Sequence, residues 1–199
     1  MSKIEIPIIV LAAGESSRLG RPKQLLPWKG VTLLERTVQT AKESSIGDVY
    51  VVIGASARLI KPELENYSVQ TIINRQYMNG LSTSIKTGLE HALKDNPDVE
   101  AVIFCLADQP FLDSLVLRQL AILFYTSRQP LIHCQYKRAL TGPPSLIGRK
   151  YFPFIKKLTG DAGAKKVFSQ FPDDVGIVEF PKGDIDIDTW SDYSELEQD

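Results

Sequence analysis

Short apolar runs alternate along this chain with longer stretches in which apolar residues recur every three or four positions. Ile8-Ile9-Val10-Leu11, bounded by Ala12, Ala13 and Gly14, predicts a buried strand. Val31 to Ser44 carries Leu33, Leu34, Val38 and Ala41 at helical spacing, after a Trp28-Lys29-Gly30 connection. Asp48 to Ile53 reads as a second buried strand closed by Gly54, Ala57 to Leu64 as a short helix despite Pro62, and Val69 to Ile73 as a third strand. Asn74 to Leu89 is polar where it leaves that strand and helical afterwards. Glu100 to Leu106 is apolar on both faces, as a central strand should be. Then follow a helix over Asp113 to Tyr125 and a strand over Pro130 to Tyr136. Tyr151 to Leu158 and Asp161 to Phe171 have helical intervals, Gly176 to Phe180 predicts a strand, and a last helix spans Asp192 to Leu196. Strands alternating with helices in this way predict parallel βαβ units, with ligands at the carboxyl ends of the strands.

Length adds that 199 residues, 43% hydrophobic and 24% charged, suit one domain over 1–199. A formal net charge of −1 offers no general attraction to nucleic acid or to an anionic membrane. The expected partners are therefore small molecules, with no nucleic acid and no membrane. Apolar runs stop well short of the ~20 residues of a membrane span, and Met1-Ser2-Lys3 leads into a strand without a signal-peptide pattern. A cytoplasmic location is expected. Cys105, Cys134, His91 and His133 stand singly, which predicts reduced thiols and no zinc site by ligand spacing.

The chemistry concentrates after the first strand. Ala12, Ala13, Gly14, Ser16, Ser17 and Gly20 leave room for a ligand to reach backbone N–H groups, while Arg18 and Lys23 add positive charge. Such a loop suits a polyphosphate, although it is neither G-x-G-x-x-G nor a Walker loop. Gly80, Ser82 and Ser84 open the helix after the third strand, where a serine serves equally as a cap or as part of an anion or base site. Asp108 ends the central strand. There a single carboxylate can hold Mg²⁺ together with substrate phosphates, or merely begin a turn. In Gly183-Asp184-Ile185-Asp186-Ile187-Asp188-Thr189, an extended backbone would put three carboxylates on one face.

These stretches resemble one family. L-A-A-G-E-S-S-R-L-G-R-P-K, at residues 11–23, is similar to the L-A-A-G-x-S-x-R-x-G-x-x-K signature of the nucleotidyltransferases, in the branch of molybdenum cofactor cytidylyltransferase. N-G-L-S-T-S, L-A-D-Q-P, G-D-A-G-A-K and D-I-D-T follow in the family's order. The resemblance implies a three-layer α/β/α, Rossmann-like nucleotidyltransferase fold with a mostly parallel sheet. It implies catalytic roles for Arg18, Lys23 and Asp108, and a nucleotide site of Leu11, Ala12, Ala13, Gly14, Arg18, Lys23, Gly80, Ser82 and Ser84. It further implies Mg²⁺ on Asp108 and Asp188, with Asp186 as the alternate. The implied reaction moves CMP from CTP to molybdopterin, releasing pyrophosphate, with transient contact to a molybdoenzyme or its chaperone. Ala13, where the guanylyl branch has glycine, favours CTP. A guanylyltransferase, a sugar-, alditol- or methylerythritol-phosphate nucleotidyltransferase, and a non-catalytic nucleotide-binding or cofactor-chaperone module are the alternatives. Two positions depart from the pattern: Pro143 stands where the family's G-H-P-x-L has histidine, and Lys165 where arginine is usual.

Overall fold

The structure, a computed structural model, describes residues 5–16, 19–127, 129–187 and 189–196. The first half alternates as expected. It runs β1 (Ile8–Ala12), a hairpin of β2 (Pro27–Trp28) and β3 (Val31–Thr32), α1 (Leu33–Ser44), β4 (Val49–Ile53), α2 (Ala57–Glu63), β5 (Gln70–Ile73) and α3 (Leu81–Asp95). The second half runs β6 (Ala101–Leu106), α4 (Ser114–Ser127), β7 (Leu131–Gln135), β8 (Thr141–Gly148), α5 (Phe152–Lys156), α6 (Lys165–Gln170), β9 (Val175–Glu179) and α7 (Trp190–Leu196).

Seven strands form one sheet in the order β5-β4-β1-β6-β8-β7-β9. From β1 the chain builds outward through β4 and β5, then returns to add β6 on the other side. The crevice between β1 and β6 is therefore the topological switch point, where an open α/β sheet holds its ligands. Among the described strands of this sheet, β8 alone is antiparallel to its neighbours.

The period of two along β1 sorts its side chains into the two layers. Ile8, Val10 and Ala12 pack with Leu34, Val38 and Ala41 of α1, Ile60 of α2, and Leu117 and Leu120 of α4. Ile9 and Leu11 face Ile85 and Leu89 of α3, Ile155 of α5 and Phe168 of α6 on the opposite side. Helices on both faces make the three layers that the sequence implies. Cys105 and Cys134 are buried free thiols, whose pKa values burial pushes up.

A smaller apolar cluster clamps the chain's end to its first loop. Leu19, Leu26, Trp28 and Leu33 bury against Ile187, Tyr193 and Leu196. Tyr193 donates its hydroxyl to the Pro27 carbonyl at 2.6 Å, and Trp28 Nε1 donates to the Leu196 carbonyl at 3.2 Å. This cluster brings the Asp184–Ile187 segment back to the edge of the sheet that carries the loop after β1.

Three local expectations are corrected, and one stretch without an assigned element proves to be a strand. Val31 and Thr32 belong to the hairpin, and α1 starts at Leu33 because Thr32 caps it: the Thr32 hydroxyl accepts from the Glu35 amide while Glu35 accepts from the Thr32 amide. The proline-containing stretch after β7 is a strand, β8, in which Pro143 and Pro144, joined by a cis peptide, sit at a register shift in the β7–β8 ladder. The helix expected from Asp161 starts at Lys165, since residues 161–164 are irregular, with turns at 161 and 164. The extended backbone expected across the terminal aspartates is broken at Asp184, which lies in a turn; Asp186 is exposed, Ile187 is fully buried, and Asp188 lies outside the described residues.

Candidate active site

The switch point opens into a cavity of about 770 Å³. β1 and its loop contribute Leu11, Ala13, Gly14 and Glu15, followed by Lys23 and Gln24. The start of α3 contributes Gly80, Leu81 and Ser84, and β6 ends in it with Leu106, Ala107 and Asp108. Tyr77, Met78 and Asp161 complete the rim.

Lys23 and Asp108 meet across this space, with Lys23 Nζ 2.5 Å from Asp108 Oδ2. Both side chains are largely withdrawn from solvent, at 18% and 11% exposure, so the pair is screened less than a surface salt bridge. It joins the loop after β1 to the tip of β6.

Gln24 holds the loop in shape. Its Nε2 donates to the carbonyls of Ala12 (3.4 Å) and Gly14 (3.3 Å), and Ser16 Oγ donates to its Oε1 at 3.4 Å. Ser16 Oγ in turn accepts from the Lys23 amide at 3.0 Å. The two carbonyls are thereby tied to the protein rather than offered to an anion. A Cβ placed on Gly14 would meet no protein atom within 4 Å, so this glycine borders open space that a ligand can approach.

Asn74, just past β5 and 3% exposed, organises the second wall. Its Nδ2 donates to Thr83 Oγ1 (2.8 Å) and Ser84 Oγ (2.9 Å), and its Oδ1 accepts from the Gln76 amide at 2.9 Å. Ser84 accepts and so retains its own proton to offer into the cavity. Gly80 lies in the left-handed region at φ +95°, and a Cβ there would overlap the Gly160 carbonyl. The Ser82 amide donates to that carbonyl at 3.0 Å, which locks the start of α3 to the turn before α6.

Gln109 ties Asp108 to the rest of the rim. Its Nε2 donates to the Pro143 carbonyl (2.8 Å), the Gly183 carbonyl (2.9 Å) and the Tyr136 hydroxyl (3.1 Å). Tyr136 itself donates to the Pro143 carbonyl. Burial pushes the Tyr136 hydroxyl pKa up, and the charges of Asp186 and Asp108 add to that rise, which puts the acidic segment on the same edge of the sheet.

Of the expected nucleotide-site residues, Leu11, Ala13, Gly14, Lys23, Gly80 and Ser84 line the cavity together with Asp108. Ala12 and Ser82 are not among the lining residues: Ala12 is 2% exposed with its carbonyl on Gln24, and Ser82 is fully buried with its hydroxyl unpartnered. Arg18 and Asp188 lie outside the described residues. Sequence reasoning missed Gln24, Asn74 and Gln109, because their roles are long-range contacts to backbone and hydroxyl groups that carry no local pattern. Lys156, Lys157 and Lys166 are exposed, whereas Lys165 borders a neighbouring apolar recess.

A sequence model of the MobA-like NTP transferase domain matches residues 8–175, a span running from β1 into β9 and containing both walls of the cavity. The chain belongs to this family. Among curated relatives of this chain, nicotine blue oxidoreductase of Paenarthrobacter nicotinovorans is 30% identical over 175 residues, 82% of this chain and 81% of that protein. Purine catabolism protein PucB of Bacillus subtilis is 29% identical over 93% of this chain and 92% of its own. Molybdenum cofactor cytidylyltransferase of Escherichia coli is 35% identical over 42% of this chain and 44% of its own. The crystal structure of Rv0371c from Mycobacterium tuberculosis superposes with a TM-score of 0.85 at 26% identity, covering 98% of this chain and 99% of that one. A manganese complex of Rv0371c, at 24% identity and a TM-score of 0.81, has the same fold.

The donor set suits a hard divalent cation bound jointly with a nucleotide. Among the described residues no group of three or more histidines, cysteines or carboxylates forms a cage for a metal. Asp108, Glu15 and Asp161 nevertheless put three carboxylates around a cavity in which, among the described lining residues, Lys23 is the cation. Mg²⁺ characteristically takes one or two protein carboxylates and completes its shell with phosphates and water. Of the three, Asp108 at the tip of β6 is the carboxylate that fits that mode.

Proposed function

We propose that this NTP transferase moves CMP from CTP to a phosphorylated acceptor of the molybdopterin type, releasing pyrophosphate. The observation that carries the reading is the convergence of Lys23 and Asp108 in one cavity at the switch point. In the proposed reaction an acceptor phosphate oxygen attacks the α-phosphorus, a new P–O bond forms, and the bond to the bridging oxygen of the pyrophosphate breaks. Negative charge grows on the equatorial oxygens and on the leaving group. Fixed positive charge aimed there is worth several kcal/mol.

In this reading Lys23 exchanges its contact with Asp108 for one with the β- and γ-phosphates, assisted by Arg18. The Gln24-anchored loop presents the Ala13-Gly14 backbone to the base, and Ser84 and Gly80 border it on the α3 side. Asp108, with Asp188 as the second carboxylate, would hold Mg²⁺, which when bound neutralises the α-phosphate and orients the acceptor. Ala13, 5% exposed, supports CTP over GTP by narrowing the base site. Purified protein supplied with Mg²⁺, molybdopterin and each of CTP, GTP, ATP and UTP should release pyrophosphate fastest with CTP. Fastest release with GTP would make it a guanylyltransferase, and release only with a sugar or alditol phosphate would move the acceptor class. The resemblance to nicotine blue oxidoreductase favours a second reading, an oxidoreductase that works from the same cavity. Turnover of a redox substrate without pyrophosphate release would select it.

A further inference from the structure

The terminal acidic segment is pinned at both of its ends. At one end Ile187 is buried in the cluster with Leu19, Leu26 and Trp28. At the other, the Gly183 carbonyl accepts from Gln109 Nε2 at 2.9 Å. Asp184 and Asp186 lie between these anchors, and both are exposed. Gln109 directly follows Asp108, so one side-chain amide ties the acidic segment to the backbone of the β6 carboxylate. On the other side of Asp108, the Ala107 amide donates to the Leu11 carbonyl at 3.2 Å and carries the β1–β6 ladder to the tip of the strand.

Tyr136 backs this amide. Its ring lies against two glycines, since a Cβ on Gly142 or on Gly183 would overlap it, and Phe180 packs edge-on with centroids 6.0 Å apart. The Tyr136 hydroxyl donates to the Pro143 carbonyl and accepts from Gln109 Nε2 at 3.1 Å, while Gln109 donates to the same carbonyl at 2.8 Å. Gln109 is 4% exposed, and its Oε1 is buried with no partner among the described residues. Packing alone would be served better by an apolar side chain, because a buried oxygen without a donor destabilises the fold. The amide protons are what this position keeps. Burial pushes the Tyr136 pKa up, and the charges of Asp186 and Asp108 both add to the rise, so one phenol stands within electrostatic reach of both carboxylates.

We propose that Gln109 and Tyr136 are positioning residues that hold the acidic segment at a fixed separation from Asp108 and thereby set the affinity for the divalent ion of the proposed reaction. The proposal rests on the metal-assisted reading of the site, and deepens it by naming what spaces its carboxylates. Neither residue lines the cavity, so each acts through the groups it holds. Groups that orient metal-binding side chains from behind typically govern about 10–100-fold in metal affinity. A purely structural amide would change stability and leave that affinity alone.

The test is Mn²⁺ binding to the full chain in the presence of CTP, followed by electron paramagnetic resonance, beside hydrogen exchange of residues 183–187 and calorimetry of CTP without metal. Gln109→Met keeps the side chain's length and removes its amide protons. Tyr136→Phe keeps the ring against the two glycines and removes the hydroxyl. The proposal expects Mn²⁺ affinity to weaken about fivefold or more in Gln109→Met and about threefold in Tyr136→Phe. Exchange over 183–187 should quicken in both, with metal-free CTP affinity held within about twofold. Parent-like Mn²⁺ affinity in Gln109→Met overturns the proposal, whatever happens to its melting temperature. Unchanged exchange over 183–187 overturns it too, as does a metal-free CTP affinity that falls as far as the Mn²⁺ affinity, or a parent that binds no Mn²⁺. If Gln109→Met fails to fold, Tyr136→Phe decides. Failure of the reaction itself reads differently: Mn²⁺ affinity that responds to these variants, with no pyrophosphate released from any nucleotide, removes nucleotidyl transfer and leaves the positioning role standing.

Discussion

Lys23 Nζ rests 2.5 Å from Asp108 Oδ2, so the cation of the first loop lies against the carboxylate at the end of the central strand. A divalent ion and a triphosphate each compete with one half of that pair. Lys23→Ala should therefore move two affinities in opposite directions. Mn²⁺ binding in the absence of nucleotide, followed by electron paramagnetic resonance, should strengthen several-fold because Asp108 loses its competitor. CTP binding should weaken about tenfold or more, roughly 1.4 kcal/mol per decade. Both affinities falling together would mean that the pair does not compete with the metal.

Two glycines at the site should respond in contrasting ways. Gly14→Ala puts a methyl into space that no protein atom fills within 4 Å, so the melting temperature should stay within about 2 °C while CTP affinity drops roughly tenfold. Gly80→Ala combines φ +95° with overlap on the Gly160 carbonyl, and should lower unfolding free energy by ~2 kcal/mol or more. Urea denaturation and CTP calorimetry on the two proteins check both statements.

Gln24, 2% exposed, shapes the loop without lining it alone. Gln24→Ala leaves the Ala12 and Gly14 carbonyls and the Ser16 hydroxyl short of a partner, at a cost of ~1–3 kcal/mol. The expected kinetic signature is a several-fold rise in KM for CTP, measured in a pyrophosphate-release assay against a fixed acceptor concentration.

Stability should fall on acidification through the ordinary histidine range. The folded pKa of His133 is depressed by burial and by Lys165. Between that lowered value and the unfolded ~6.5 the unfolded chain binds more protons, so stability rises with pH across this window. Below the folded value the loss is complete. Urea midpoints at pH 7.5 and 5.5 should differ less in His133→Asn than in the parent, and an unchanged difference would exclude His133 as a source.

The layered fold is legible in the sequence because β1, β4 and β6 are short apolar runs with both faces buried, and because α1 and α3 keep one apolar stripe. β8 escapes such reading, since a strand that begins Thr-Gly-Pro-Pro looks like a turn until its partners in β6 and β7 are known. The same division applies to the site. Gly14 and Asp108 are announced by residue type just past strand ends, and Lys23 by its charge in the segment after β1. The side-chain amides of Gln24, Asn74 and Gln109 donate to neighbours nine or more residues away and have no spacing to betray them. Ser82 shows the converse: its residue type and position at a helix start suggest a ligand contact, yet the helix turns it inward and exposes Ser84 to the cavity instead.

Pyrophosphate released per enzyme, with CTP, Mg²⁺ and molybdopterin, compared between the parent and Asp108→Ala, tests the proposed reaction most directly. The account predicts steady release by the parent and a loss of a thousandfold or more in the variant, with the melting temperature little changed. Undiminished release by Asp108→Ala would contradict the assignment of the β6 carboxylate to the reaction.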